Sequence, residues 1–424
     1  MAGPLSGINV LEFSQVIAAP FAGQLIAELG ADVIKVEPPA GDSWRLQLQF
    51  APNESRSFQT LNRGKRSITL SLDTPEAQAI ARRLTADADV VIINYRPDVP
   101  KKFNIDYASL REVNHKLVYV DLTAFGRRGP WAMRPGYDGV VQATAGLMAG
   151  EAKLRDDGSP GTISSTAIAD FGSGMILADA IIAALYQRER TGEGQLVEGS
   201  LFATALNLQG VLIMEHASAD VLRNRARTAR RDAVRAGGRF EMAANVRAPS
   251  IRTEADVYYR CWLCADGAVA IGAQTPSEIA AVRVIFDIDL PARREPGHDI
   301  EDPAFIERAR REAERIATAL AGRSSQAVID ECVEAGVPVA PVHFPIELME
   351  HPQIVANEFM MDLVHETTGP QHIVTTPLRF GATPLGDFRA SPPLGRDTDS
   401  ILAELGYTNE EVASLRERGG VVSS

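Results

Sequence analysis

The residues with the clearest chemical potential are an aspartate and two glycines near the middle of the chain. Asp170 is followed by Phe-Gly-Ser-Gly, which places Gly172 and Gly174 close to its carboxylate and ahead of a long apolar segment. Aspartate at the start of a helix is typical of an N-cap. Glycines cost a helix about 1 kcal/mol each relative to alanine, and they leave backbone N–H groups open to a ligand carbonyl. The motif therefore supports two interpretations, a helix cap and a reactive carboxylate.

Two clusters of basic and amide side chains lie beside predicted strands, at residues 62–67 and 94–97, and Lys102 follows the second cluster. Open α/β sheets bind ligands at such loops, and these side chains supply cations and amide donors suited to phosphate. Each cluster alone is typical of a solvated loop. Because the chain as a whole is acidic, the two clusters together indicate a phosphorylated ligand that is held locally.

The remaining reactive residues do not form a recognisable site. Cys261 and Cys264 are spaced as C-x-x-C, but in a predicted strand residues three apart face opposite sides of the sheet. No second cysteine pair completes a zinc site, and the seven histidines lack the spacing of metal ligands, so no metal is expected. The absence of a P-loop and of G-x-G-x-x-G disfavours the usual nucleotide-dependent enzymes.

The elements that must position these residues alternate between strand and helix. Apolar runs at 8–12 and 33–36 flank a helical pattern closed by Gly30, which predicts a βαβ unit with parallel strands. The N-terminal part is therefore Rossmann-like in pattern. The apolar run at 171–186 is shorter than the roughly 20 residues a bilayer requires, which predicts a buried helix. Further predicted elements are helices at 75–85, 137–150, 305–320 and 327–335, strands at 90–93 and 117–120, and a hairpin over 257–271.

Composition limits the class of protein. The 424 residues include 43 Lys and Arg against 55 Asp and Glu, a net charge of -12, which argues against nucleic acid or an anionic membrane as partner. Three cysteines predict reduced thiols and a cytoplasmic location. No basic residue precedes Lys35, so no secretory signal is expected. The Arg-rich segment 223–239 is interpreted as an exposed connector, with an anion-binding or nucleic-acid-binding arm as the alternative.

Ten short segments match, in order, the motifs of one known family: 5–12, 30–39, 41–42, 62–67, 94–97, 135–138, 169–174, 191–195, 264–267 and 336–342. Together they span nearly the whole chain. The sequence thus resembles the class III CoA-transferases, the family of formyl-CoA transferase, carnitine CoA-transferase and the bile-acid-inducible CoA-transferases.

The resemblance implies a fold and a site. It implies a large Rossmann-like α/β domain from 1–222 and 377–424, a smaller α/β domain from 250–345, connectors at 223–249 and 346–376, and an interlocked homodimer. It places the catalytic aspartate at Asp170, with CoA as a substrate and no permanently bound cofactor. The CoA contacts that it implies, with Arg66 as an alternative phosphate ligand, are Val16, Ile17, Arg45, Arg66, Leu70, Asn94, Tyr95, Lys102, Phe103 and Tyr137.

The implied activity is transfer of CoA between carboxylic acids, through an acyl-aspartyl anhydride and an aspartyl-CoA thioester on Asp170. The N–H groups at Gly172 and Gly174 are expected to stabilise the oxyanion of each step. Two alternatives are an acyl-CoA racemase or epimerase with Asp170 as base, and a non-catalytic CoA-binding protein. Tyr137 stands where the racemase branch has histidine, which favours transfer. The glycine-rich loop of formyl-CoA transferase has no counterpart beyond Gly237 and its neighbour, which argues against formyl or oxalyl substrates.

Overall fold

The computed structural model describes residues 3–151, 153–216, 256–300 and 302–421, together with positions 228, 229, 232 and 237. Most of the predicted connector at 223–249 lies outside the described residues. The chain divides into two compact units. Unit 1 comprises Met1–Met214 and Asn357–Ser424, and unit 2 comprises Glu215–Ala356.

The strands of both units, numbered in chain order, are β1 (Asn9–Phe13), β2 (Asp32–Glu37), β3 (Gln49–Ala51), β4 (Glu54–Ser55), β5 (Arg66–Thr69), β6 (Val90–Ile93), β7 (Val118–Thr123), β8 (Leu196–Ser200), β9 (Tyr259–Cys264), β10 (Gly267–Gly272), β11 (Val339–Pro341), β12 (Met360–His365) and β13 (Gly369–Val374).

The helices of the described residues are α1 (Ala18–Glu28), α2 (Arg56–Leu61), α3 (Pro75–Ala86), α4 (Asp98–Lys102), α5 (Tyr107–Arg111), α6 (Asp138–Ala145), α7 (Leu147–Glu151), α8 (Ile168–Thr191), α9 (Leu201–Leu208), α10 (Gly210–Ile213), α11 (Pro276–Phe286), α12 (Pro303–Ala321), α13 (Ser325–Glu334), α14 (Pro352–Asn357), α15 (Thr398–Glu404) and α16 (Asn409–Glu417). Two short 3-10 turns occupy Ser43–Leu46 and Pro345–Leu348.

A six-stranded parallel sheet forms the centre of unit 1, with the order β5-β2-β1-β6-β7-β8. Counted along the chain, the six strands follow the order 3-2-1-4-5-6 of doubly wound nucleotide-binding folds. This confirms the predicted α/β class with a parallel central sheet. In such a sheet the strand order reverses between the first and fourth strands, here β1 and β6, and ligands bind at the carboxyl ends beside that reversal.

Both faces of this sheet are buried, as expected for parallel strands. Alternate side chains of β1, β6 and β7, such as Val10 and Ile92, pack on one face against α1 and α8. Their neighbours, such as Leu11 and Val91, pack on the other face with α3 and the C-terminal helices α15 and α16. The side chains along these strands are therefore buried on one face or the other. Only residues at the carboxyl ends of the strands can reach a ligand.

Helix α8 extends over 24 residues, three residues earlier than the predicted apolar run begins. By length and composition alone it could cross a bilayer, but half of its most apolar 18-residue window is buried within the protein. Its buried face contacts α1 closely, since a Cβ at Gly174 would lie 2.7 Å from the carbonyl oxygen of Ala18. The predicted helix is therefore present but only half buried, and a glycine allows its contact with α1.

Unit 2 is built on a three-stranded antiparallel sheet with the order β11-β10-β9. The turn at Asp266 joins β9 to β10, as the sequence predicts. Helices α11, α12 and α13 cover one face of the sheet through a buried core that includes Trp262, Val269 and Val328. Cys261 is exposed, Cys264 is half-buried and both are free, as expected for side chains on opposite faces of a strand.

The C-terminal segment completes unit 1 at the edge of its sheet. The carboxylate of Asp397 accepts a hydrogen bond from the N–H of Ser67 in the edge strand β5 at 2.8 Å. The backbone N–H of Asp397 donates to the carbonyl of Ser67 at 2.9 Å. Ile401, Leu402 and Val412 then enter the core beneath β5 and β2. The segment expected to connect the domains, 346–376, contains α14 and the antiparallel hairpin β12–β13.

Candidate active site

A cavity of about 360 Å³ opens at the carboxyl ends of β1, β6 and β7, where the strand order reverses. This is the position at which the fold is expected to bind a ligand. Several of the residues predicted for the site meet here although they are widely separated in sequence. The lining residues are Gln15, Val16, Ile17, Ala18, Asn94, Tyr95, Arg96, Val99, Leu122, Thr123, Ala124, Pro135, Gly136, Tyr137, Asp170 and Leu201.

Asp170 faces this cavity from the first turn of α8 with a side chain that is largely buried, at 6% exposure. The helix begins at Ile168 and its N-cap is Ala167, so Asp170 is the third helical residue. Its carboxylate makes no hydrogen bond and no ion pair with any residue that the structure describes. The helix-cap interpretation is therefore wrong, and the reactive-carboxylate interpretation stays a prediction.

A second carboxylate, on Asp138, occupies the N-terminus of α8 instead. Asp138 Oδ1 accepts hydrogen bonds from the N–H of Ala169 at 2.8 Å and of Asp170 at 3.4 Å, and Gln142 donates to Oδ2. Burial, and then the charge of Asp138, raise the pKa of Asp170 to about 7. The helix N–H groups that would normally stabilise a nearby carboxylate are used by Asp138. Asp170 is thus a desolvated carboxylate with an unusually basic oxygen.

Sequence reasoning missed the role of Asp138. Asp138 belongs to the motif at 135–138, but only Tyr137 of that motif was predicted to be a site residue. Tyr137 lines the cavity, is largely exposed and serves as the N-cap residue of α6. The aspartate that follows it begins α6, which directs its side chain to α8. Only the packing of α6 against α8 shows this contact, because 31 residues separate the two partners.

The two glycines after Asp170 have a role in packing. Because α8 begins at Ile168, Gly172 and Gly174 are its fifth and seventh residues, and N–H groups beyond the fourth bond to carbonyls within the helix. A Cβ at Gly172 would lie 3.2 Å from Thr204 of α9, and one at Gly174 would meet α1. The expectation that these N–H groups bind an oxyanion is therefore incorrect. The glycines instead allow α9 and α1 to pack closely against α8.

The loop after β1 forms one wall of the cavity and is joined to the loop after β6. The side-chain amide of Asn94 accepts from the N–H of Gln15 at 3.1 Å and donates to its carbonyl at 2.8 Å. Val16 and Ile17 line the cavity beside Tyr95, as the resemblance implies. Burial raises the pKa of Tyr95 to about 12, so its hydroxyl stays protonated at neutral pH.

The remaining predicted contacts lie away from the cavity lining. Phe103 is partly buried against the core on the face of the sheet covered by α3, α15 and α16, and Leu70 is fully buried in this core. Lys102 lies beside Phe103 at the end of α4, with its side chain 65% exposed and 2.8 Å from Asp73. The ion pair between Lys102 and Asp73 is solvent-exposed, and exposed pairs are weak, so the ammonium can exchange Asp73 for a ligand at the surface. The buried side chain of Leu70 cannot reach a ligand.

Two predicted phosphate ligands have other roles. Arg45 is fully buried, binds both carboxylate oxygens of Glu37 at 2.7 and 2.8 Å, and stacks over Phe58. Arg66 is held between the carboxylates of Asp32 and Glu404. Each guanidinium already has its counter-charge within the protein. Neither residue is retained as a CoA contact.

The basic cluster at 62–67 is structural for the same reason. Arg63 forms a buried ion pair with Glu28, and Lys65 lies buried 2.7 Å from Glu12. The interpretation of this cluster as a phosphate site is therefore wrong. In the cluster at 94–97, by contrast, Asn94 and Arg96 line the cavity.

The fold and the site together define the class of this protein. A doubly wound sheet places a buried carboxylate, without a hydrogen-bond partner among the described residues, at the edge where such sheets bind ligands. Residues 5–398 match the sequence model of CoA-transferase family III, and the chain belongs to this family of CoA-transferase enzymes.

Relatives with CoA-transferase names align over most of the chain. It is 33% identical to succinate–glutarate CoA-transferase of Agrobacterium fabrum over 418 residues, which cover 95% of this chain and 96% of that protein. It is 28% identical to human succinyl-CoA:glutarate CoA-transferase over 425 residues, covering 99% and 90% of the two chains. A crystal structure of a CAIB/BAIF family protein from Brucella suis is similar with a TM-score of 0.72 and 29% identity, over 96% of this chain and 100% of that one.

Proposed function

We propose that the protein transfers CoA from an acyl-CoA to a carboxylic acid through covalent intermediates on Asp170. The observation that carries this proposal is the Asp170 carboxylate, which is buried at the cavity wall and bound to no described residue. A carboxylate hydrogen-bonded to backbone N–H groups would be a weaker nucleophile. Burial and the neighbouring Asp138 charge favour any product in which Asp170 is neutral, and an anhydride and a thioester are both neutral.

Each step of the proposed reaction exchanges one acyl substituent. An Asp170 oxygen attacks the thioester carbon of the donor, the C–S bond breaks, and CoA leaves as a thiolate from an acyl-aspartyl anhydride. The thiolate then attacks the aspartyl carbonyl carbon, which releases the donor acid as a carboxylate and leaves an aspartyl-CoA thioester. The acceptor carboxylate repeats these two exchanges in reverse, and Asp170 is regenerated.

CoA is proposed to lie along the carboxyl ends of β1 and β6, with its thioester at Asp170. Val16, Ile17 and Tyr95 supply the wall of the cavity beside the nucleophile. The exposed ammonium of Lys102 is the proposed contact for a phosphate at the surface. A chain of net charge -12 needs such a local cation to hold a polyanion.

An interlocked homodimer is part of the proposal, and exposed apolar side chains on α8 and α9 support an interface. On α8, Met175, Ile176, Ile182 and Tyr186 are between 39% and 65% exposed, and the exposed Asp179 lies among them. Leu208 of α9 is also exposed. Exposed large apolar side chains grouped in this way are typical of a buried interface. Sedimentation should show a dimer at micromolar concentration, and Ile182→Glu should weaken it; a folded monomer of the unaltered chain would contradict the proposal.

The racemase alternative requires a second group to deliver a proton to the opposite face of the α-carbon. The described lining of the cavity contains no histidine and no carboxylate other than Asp170. Incubation in heavy water with an acyl-CoA should therefore incorporate no deuterium at the α-carbon. Incorporation without any carboxylate acceptor would favour the racemase.

Trapping tests the covalent scheme directly. The protein is incubated with succinyl-CoA and hydroxylamine, with glutarate as acceptor in a parallel reaction, because two relatives are named for these acids. Hydroxylamine should convert the activated aspartyl carbonyl to a hydroxamate, and peptide mass spectrometry should place it on Asp170. Asp170→Asn should give no adduct, and Asp157→Asn, a substitution of an exposed aspartate, should react as the unaltered protein does. An adduct on another carboxylate would refute the mechanism.

A further inference from the structure

The loop between β1 and α1 has a backbone conformation that its sequence does not favour. Val16 has a φ of +74°, in the left-handed region, and residues 14–17 include no glycine. A β-branched residue is a steric outlier there. Doubly wound folds that bind nucleotides usually supply glycines at this first strand-to-helix turn. The conformation of Val16 must therefore be imposed by the groups around it.

Buried charged side chains bind the backbone at Val16 and just before it, in addition to the contacts of Asn94. The Val16 N–H donates to Asp42 Oδ1 at 3.2 Å. The ammonium of Lys35 donates to the carbonyl of Ser14 at 2.9 Å. The loop is thus fixed through its peptide groups by side chains from β2, from the segment after β2 and from the end of β6.

These charged groups are themselves held rigidly. Lys35 Nζ lies 3.0 Å from both Asp42 Oδ2 and Glu12 Oε1, and the three side chains are at most 1% exposed. The other oxygen of Glu12 is 2.7 Å from Lys65. A Cβ at position 23 would lie 1.9 Å from Glu12 Oε2, so Gly23 allows α1 to pass over the charges. Loss of one partner would leave a buried charge uncompensated, which fixes the geometry of the group.

We propose that Lys35 and Asp42 are positioning residues that hold Val16 in the left-handed conformation and so preorganise the β1–α1 loop to bind CoA. The proposal rests on the proposed function, which assigns this loop to CoA. A loop that populates its binding conformation for only a fraction of the time raises the observed Kd by the inverse of that fraction. Fixed charges here achieve the backbone conformation for which other folds use glycine.

Coenzyme A itself is the probe, and calorimetry gives its Kd without any assumption about donor or acceptor. Asp42→Ala removes the acceptor of the Val16 N–H, and it should raise the Kd for CoA about tenfold. Val16→Gly introduced into Asp42→Ala should lower the Kd again by about threefold or more, because glycine adopts a positive φ without steric cost. A purely structural role for Asp42 would lower stability in both backgrounds, and it would show no recovery of affinity.

Two further variants keep the test decisive. Asp42→Asn keeps an oxygen for the Val16 N–H and loses the ion pair with Lys35, so it should fold even where alanine does not, and should raise the Kd about threefold. Glu28→Gln is the matched control, because Glu28 is a buried partner of Arg63 at the other end of α1. Its Kd for CoA should stay within about twofold of the original.

The possible outcomes distinguish the positioning role of Asp42 from the proposed function. Binding of CoA to the unaltered protein, with the same Kd in both Asp42 variants, would overturn the positioning role and leave the proposed function standing. Weakened binding in Asp42→Ala without recovery by Val16→Gly would also overturn it, since the strain at Val16 would then be irrelevant. Failure of the unaltered protein to bind CoA would refute the proposed function, and the role of the loop with it.

Discussion

Asp170 is a buried carboxylate and does not cap a helix, so replacing it should stabilise the protein, whereas replacing a cap would destabilise it. Replacing a cap with a side chain that cannot accept hydrogen bonds destabilises a protein by about 1 kcal/mol. Asp170 instead has a pKa raised from 3.8 to about 7, so the folded protein disfavours its charged form. Asp170→Asn removes the charge and keeps the shape. We expect this variant to be more stable than the original protein at neutral and alkaline pH.

The magnitude follows from the pKa difference. Between pH 3.8 and 7 the folded protein binds more protons at this site than the unfolded chain, so the free energy of unfolding falls as pH rises. A difference of about three pH units, at about 1.36 kcal/mol per unit, gives an upper limit of about 4 kcal/mol above pH 7. The advantage of Asp170→Asn should therefore be close to zero near pH 4 and reach at most this value at pH 8.

Urea denaturation at a series of pH values measures the difference between the two proteins. Protein concentrations must be matched, because the stability of an oligomer depends on concentration. Asp157→Asn provides the control, since hydrogen bonds from Ser159 lower the pKa of this exposed carboxylate. Its effect should have the opposite sign, with stability lost at high pH. An advantage for Asp170→Asn that is equal at pH 4 and pH 8, or a loss of stability at pH 8, would refute the reasoning.

Three other changes test separate parts of the site. Asp138→Asn keeps an oxygen for the N-terminus of α8 but removes the charge that raises the pKa of Asp170. The acidic limb of the kcat/KM profile should therefore move to lower pH by on the order of one unit. An unmoved limb would contradict the role of Asp138. Gly174→Ala places a Cβ 2.7 Å from a carbonyl oxygen of α1 and should cost about 1–3 kcal/mol in urea denaturation, a result that an unchanged midpoint would exclude. Lys102→Ala should raise KM for CoA thioesters roughly tenfold with kcat nearly unchanged, and an unchanged KM would move the phosphate contact elsewhere.

The elements with strong local patterns were predictable from sequence. The parallel strands and α8 follow from apolar runs whose burial is the same in any compact arrangement, and their parallel pairing follows from the βαβ pattern. Asp170 and Asn94 could be singled out because they lie at or next to the ends of such elements. Their meeting at one cavity follows from the strand order, which the sequence pattern alone does not specify.

The basic residues show why the rest could not be predicted. A cation in a loop has the same sequence signature whether it faces a ligand or a carboxylate of the protein. Arg66 binds Glu404, which lies 338 residues further along the chain, and Arg45 binds Glu37 in a strand that was expected only to build the core. The glycines after Asp170 are a similar case. A glycine that admits a neighbouring helix cannot be distinguished from one that exposes N–H groups until the start of the helix is known.

The C-terminal residues that pair with Ser67 and enter the core beside β5 have a consequence for how the protein is made. The ribosome produces the sheet of unit 1 first, then about 140 residues of unit 2, and only afterwards Asp397, Ile401 and Leu402. Asp397 follows the end of β8 at Ser200 by 197 residues. At translation rates of 5–20 residues per second, the nascent sheet therefore waits roughly 10–40 s with the edge of β5 unpaired and apolar side chains beneath it uncovered. An unpaired edge is a site for pairing with other chains. Fast translation of the segment between the two parts of unit 1, or a chaperone that binds this edge, should therefore raise the yield of folded protein. For the same reason, added purified C-terminal peptide should protect stalled nascent chains from aggregation.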